Sequence, residues 1–217
     1  MKKVLLYHKP AKSINISKSL SYNNYGSVKV LEHDLVNFFI EIGNSKIESE
    51  KLAKLVQNIF NVAMKKLGSP ESFWLKLQAS LPNSFFKTPR WHIDGDYFGT
   101  KETNHKFICV LSGPGTLFGK TSDRKKFNKI TNDSYGLSNE EILSTDTDSI
   151  RMQLADIVKV KYQLEEGYGV TYRTGITKGE IHSEPDYSRK KRLFLSILSG
   201  TKKQIAQFMK ARSNHKI

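Results

Sequence analysis

The chain has 217 residues, 38% of them hydrophobic and 11% aromatic, which is enough for one packed domain and excludes wholesale disorder. Its 35 Lys and Arg against 21 Asp and Glu leave a net charge of +14, a balance that attracts polyanions and makes nucleic acid an expected partner. The single cysteine, Cys109, excludes an intrachain disulfide and a Cys-only metal cluster.

In chain order, Val4 to Tyr7 is an apolar run too short for a signal-peptide core, and His8 follows it in a first strand. No run approaches the roughly 18 apolar residues of a membrane helix, so no membrane is expected and the cytoplasm is the expected location. "SVKVLEHDLVNFFIEIG" spaces Leu31, Leu35, Phe38, Phe39 and Ile42 as a helix does. Ser45 and Glu48 then form a capping box, and an apolar stripe from Leu52 to Leu67 predicts an amphipathic helix over 46–67, ended by Gly68 and Pro70.

Past Pro70 the period changes. "SFWLKLQASL" alternates as a half-buried strand, and 106–113, 157–163, 168–174 and 192–199 read as further strands. Residues 119–149 are polar and read as a long insertion. A short helix over 202–212, with Ile205, Phe208 and Met209 on one face, leads to a basic tail. The expected organisation is an N-terminal helical segment (1–71), a β-rich core (72–201) and a C-terminal helix with tail (202–217). Its class is α+β, mainly β: a sandwich or barrel with helices on one side.

"FICVLSGPGTLFGKT" comes close to a phosphate-binding loop. Pro114 stands where that loop needs its first Gly, with Gly113 and Gly115 each one position off, so a tight turn between strands is the better reading. "TPRWHIDGDYF" holds a stronger signal. On extended chain His92 and Asp94 face the same way and can converge on one cation. A carboxylate plus two imidazoles is the donor set of non-haem Fe(II) oxygenases. The second imidazole comes from His8, His33, His105, His182 or His215; Asp96, four residues from His92, reaches less well than Asp94. Trp91, Tyr97 and Phe98 flank the pair as pocket walls or as plain packing.

The order His92-x-Asp94, the turn "SGPGTLF", the strand "EEGYGVTYRTG", then His182, "SEP" and Arg192 resembles the Fe(II)/2-oxoglutarate-dependent dioxygenases over about residues 72–200. The resemblance implies a double-stranded β-helix (jelly roll) with iron held by His92, Asp94 and His182. It also implies 2-oxoglutarate as cosubstrate, its far carboxylate gripped by Arg192, ten residues past His182. The chain departs from the pattern at Phe194, where many members carry Ser or Thr, so Arg189 and Lys106 stay in view as alternative anchors. On a strand, Arg192, Phe194, Ser196 and Leu198 share one face, and an inward guanidinium there calls for an anion. The implied activity is hydroxylation or demethylation. The alternatives are a basic binding module for nucleic acid without turnover, and a cupin-like metalloenzyme that does not use 2-oxoglutarate.

Overall fold

Two helices follow the first two strands because their apolar positions recur at helical spacing, and the second of them is capped by side chains. In the computed structural model, which describes residues 3–5, 14–95, 98, 104–135, 147–175 and 178–214, helix α1 spans Leu31–Glu41 and α2 spans Lys46–Lys66. The Ser45 hydroxyl accepts from the Glu48 backbone N–H and the Glu48 carboxylate accepts from the Ser45 N–H, so the predicted capping box is formed. Gly68, at φ +84°, takes the left-handed conformation that ends the helix.

The strands are β1 (Lys3–Leu5), β2 (Leu20–Tyr25), β3 (Ser72–Ser80), β4 (His92–Ile93), β5 (His105–Ser112), β6 (Leu117–Thr121), β7 (Val158–Gln163), β8 (Tyr168–Arg173), β9 (Ile181–Ser183) and β10 (Arg192–Gly200). They form a six-stranded sheet in the order β1-β8-β5-β10-β3-β2 and a four-stranded sheet in the order β4-β9-β6-β7. All pairings are antiparallel, and they nest: β3 with β10, β4 with β9, β5 with β8, and β6 with β7. A long hairpin rolled up on itself produces this nesting, so the fold is an α+β, mainly β sandwich of jelly-roll type.

Each face of the larger sheet has its own partner. Leu193, Leu195 and Ile197 of β10, with Phe73, Leu75 and Leu77 of β3, pack under α1 and α2. Arg192, Phe194 and Ser196 point the other way, into a cavity between the two sheets. The predicted half-buried strand at 72–80 is therefore covered on both sides. Its polar alternates, Lys76 and Gln78, line the cavity and not the outer surface.

Three expectations need correction. Within 119–149, expected as a polar insertion, the described residues mostly belong to regular elements: the end of β6, helix α3 (Arg124–Tyr135) and the start of α4 (Thr147–Ile157). Phe127, fully buried, packs with Leu154, Trp91 and Ile181, so each helix supplies half of an apolar contact that neither shows alone. Helix α5 (Lys202–Asn214) buries Ile205 and packs Phe208, but Met209 faces solvent. The strand β2 was hidden by its asparagines. Asn24 bonds the Ser27 backbone in both directions, and Asn23 accepts from the Trp74 indole, so tertiary contacts satisfy a stretch of low strand propensity. No helix among the described residues is long and apolar enough to cross a membrane.

Candidate metal centre

The short pairing of β4 with β9 aligns His92 directly opposite His182. Cross-strand partners project to the same face, and the two imidazole rings lie 4.3 Å apart between centroids. Asp94, two residues beyond His92 on extended chain, projects to that face as well, held by the bond its backbone carbonyl accepts from the Gly175 N–H at 2.8 Å. One donor atom from each of His92, Asp94 and His182 lies within 4.8 Å of the others.

Hydrogen bonds prepare these donors. The Nδ1 of His92 lies 2.7 Å from the Arg90 carbonyl, and the Nδ1 of His182 lies 3.0 Å from the Glu180 carbonyl. A carbonyl only accepts, so each Nδ1 carries a proton, and in the neutral ring that tautomer leaves the lone pair on Nε2. Asp94 Oδ2 is 3.5 Å from the His182 Nε2 and accepts from the Tyr172 hydroxyl and, at 3.0 Å, from the Lys106 ammonium. Tyr172 and Lys106 come from β8 and β5, so the cluster is clasped between the two sheets.

Burial raises the Asp94 carboxyl, but Lys106, His182, His92 and the Tyr172 hydroxyl outweigh it and hold the group well below the usual carboxylate range. Burial also holds the His182 imidazole down, to about 4, against the pull of Asp94. Both groups are thus in the protonation states that bind cations: one carboxylate and one neutral imidazole. Two imidazoles and a carboxylate with no thiolate suit Fe(II) or a similar divalent ion. Cys109 is not a competitor, because it is buried in the helix-covered core.

Arg192 opens β10 in the same cavity, 6% exposed. Its Nε donates to the Pro114 carbonyl at 3.1 Å and its Nη2 to the Thr116 hydroxyl at 3.1 Å. The guanidinium carbon lies 4.3 Å from the centre of the Phe194 ring. The "GPGT" turn, which superficially resembles a phosphate loop, is therefore the cradle of this side chain. Gly113, at φ +86°, bends the turn against the Lys191 carbonyl where a Cβ would collide. No carboxylate among the described residues lies within ion-pair distance of Arg192, and burial lowers its pKa to about 10.

The other candidates separate cleanly. Lys106 is in the cavity but bound to Asp94, whereas Arg189 lines a different surface groove with Asp186 and Lys190. His33 is exposed on α1 beside Asp34 and Asn37, and His105 is exposed at the start of β5. His8, His215, Asp96 and Tyr97 lie outside the described residues. Trp91 packs in the core with Phe127 and Val158, and Phe98 packs beside Phe208, so neither walls this cavity. Sequence reasoning missed Tyr172 and Glu184. Tyr172 was legible as a strand residue but its register with Lys106 was not. Glu184 receives the Arg90 guanidinium at 2.6 Å. Burial raises its carboxyl, and its neighbours His92 and Arg90 outweigh that and bring it to about 2.

No family model and no curated protein matches the sequence. Among solved structures the chain is similar to a Pseudomonas putida prolyl-4-hydroxylase, at 10% identity over 87% of this chain and 77% of that one, TM-score 0.35. It is similar to EvdO2 of Micromonospora carbonacea var. aurantiaca at 8% identity over 86% and 68%, TM-score 0.36. A cupin domain from Bordetella pertussis matches at 10% identity over 59% and 82%, TM-score 0.26. Likeness at these scores assigns neither family nor activity, and the chemistry has to be read from the side chains.

Proposed function

We propose that this protein is an Fe(II)- and 2-oxoglutarate-dependent oxygenase, with the nested strands β3 to β10 as a closed double-stranded β-helix. One observation carries the reading: His92, Asp94 and His182 bring donor atoms within 4.8 Å of one another in the cavity that Arg192 lines. The backbone bonds at both Nδ1 atoms support it, because they fix the tautomers that offer Nε2 to an ion.

In this reading His92, Asp94 and His182 would hold the ferrous ion. Bound there, iron and 2-oxoglutarate supply oxidative chemistry that hydroxylates or demethylates a C–H-bearing substrate. The protein's own contribution is positional. Tyr172 and Lys106 orient the Asp94 carboxylate through Oδ2. Pro114 and Thr116 hold Arg192 so that its remaining N–H groups grip the far carboxylate of the cosubstrate, a bidentate match for a planar guanidinium. Phe118 and Tyr172, 5.6 Å apart between ring centres, pack against the His182 imidazole at 6.1 and 5.1 Å and give that side of the site an aromatic wall.

The test is formation of succinate from 2-oxoglutarate by purified protein under air. The reading expects turnover that requires added Fe(II), is lost in His182→Ala, and needs more 2-oxoglutarate in Arg192→Met. Metal uptake indifferent to 2-oxoglutarate would instead indicate a metalloenzyme that does not use it.

A further inference from the structure

The cavity has more positive charge than the proposed reaction uses. Its lining carries Lys76, Arg90, Lys106, Arg192 and Arg212 against the carboxylates Asp94 and Glu184. A divalent ion and a dianionic cosubstrate cancel each other, so an excess of three positive charges persists with both bound. Lys106 is engaged by Asp94 and Arg90 by Glu184. With Arg192 assigned to the cosubstrate, Lys76 and Arg212 remain outside these pairs.

Lys76 projects from the middle of β3, a position with both flanking residues buried in the helix-covered core. Its strand neighbours are Ser196 on one side and Asn23 on the other, both too short to fill the space above it. Neither Lys76 nor Arg212 makes a hydrogen bond or ion pair with a described residue. Trp74 and Lys76, two apart on β3, both line the cavity, and Arg212 lies over the Trp74 ring, so the two cations share one end of it. Burial first, and then the charge of Arg212, hold the Lys76 ammonium below its ordinary pKa.

Arg212 is held in place by stacking. Its guanidinium carbon lies 4.9 Å from the Trp74 ring centre and 5.5 Å from that of Phe208. The Trp74 ring is fixed in turn by its bond to Asn23 and by stacking on Tyr25 at 6.3 Å. Helix α5 thus presents a cation to the cavity on an aromatic platform, and Lys76 reaches the same cavity from β3. Two like charges kept together at a partly desolvated mouth are unfavourable until an anion bridges them.

We infer that Lys76 and Arg212 form a second anion site, separate from Arg192, that receives a carboxylate or phosphate group of a small prime substrate. The inference rests on the oxygenase reading for the word substrate, but the anion site itself does not need iron. The cavity measures about 240 Å³, small for a ligand site, so the group that reaches Lys76 and Arg212 belongs to a small molecule entering at its mouth. Carboxylate and phosphate share this chemistry and are separated by experiment.

Calorimetric titration of protein loaded with Mn(II) and 2-oxoglutarate, using acetate and inorganic phosphate in turn, tests it. At least one probe is expected to bind, and the tighter one names the group. Lys76→Met and Arg212→Gln are each expected to weaken it about tenfold or more, with 2-oxoglutarate affinity unchanged. Absence of anion binding to the loaded protein, or binding unaffected by both substitutions, overturns the inference. Loss of 2-oxoglutarate affinity in Lys76→Met also overturns it, since both cations would then serve one anion. If 2-oxoglutarate fails to bind while phosphate or acetate binds and is lost in the variants, the second site stands and the oxygenase reading falls.

Discussion

Replacing Arg192 with Met separates a ligand-binding arginine from a structural one. Burial lowers the Arg192 pKa to about 10, so keeping it charged in the folded protein costs about 3 kcal/mol at neutral pH. Against that stand two hydrogen bonds, to the Pro114 carbonyl and the Thr116 hydroxyl, at about 1 kcal/mol each. Methionine keeps most of the side-chain volume beside Phe194 and removes the charge. The ligand-free variant should therefore unfold in urea within about 1 kcal/mol of the parent. Its affinity for 2-oxoglutarate in the presence of Mn(II) should fall by roughly 10- to 150-fold, the loss of one charge-assisted pair worth about 1.5–3 kcal/mol. A variant destabilised by more than about 3 kcal/mol with unchanged 2-oxoglutarate affinity would refute this, and would make Arg192 a strut for the "GPGT" turn.

Tyr172→Phe removes the hydroxyl that bonds Asp94 Oδ2, and metal affinity should drop about 10- to 100-fold while the fold persists, as read by competition with a chelating dye. Acid should destabilise the metal-free protein. His182 is held down to about 4 when folded but titrates near 6.5 when unfolded, so its contribution is intact above pH 6.5 and is lost as pH falls towards 4. Urea unfolding should then show a decline of up to about 3 kcal/mol across that window, and His182→Gln should flatten it; equal slopes in both proteins contradict the assignment. Phe127→Ala should cost about 3–5 kcal/mol in thermal unfolding, because this fully buried ring joins α3 and α4 to the smaller sheet. A cost near zero would return residues 119–149 to the status of an appendage.

Local signals survived folding well. The Ser45–Glu48 box, the stripe of α2 and the alternation of β10 depend on neighbours in sequence, and the structure keeps all three. The His92–Asp94 pair was readable for the same reason. That His182 is its cross-strand partner followed only from a resemblance in motif order, because nothing local to His182 reveals which strand lies beside it. Register was the main blind spot. Tyr172 meets Asp94 through the pairing of β8 with β5, and Lys76 reaches the cavity because β3 lies between β10 and β2. A Lys–Gln alternation reads as a solvent face unless the opposite sheet is known to cover it. Segment 119–149 failed differently: its apolar residues are sparse, and each helix becomes amphipathic only against the other.

The account turns on His92, Asp94 and His182 holding one ferrous ion that 2-oxoglutarate can join. Anaerobic titration of the purified protein with Fe(II) and then 2-oxoglutarate reads this directly. The prediction is one iron per chain and a weak visible charge-transfer band that appears on adding the keto acid, with both lost in His182→Ala. Full iron uptake by His182→Ala, or no band in the parent protein, would contradict it.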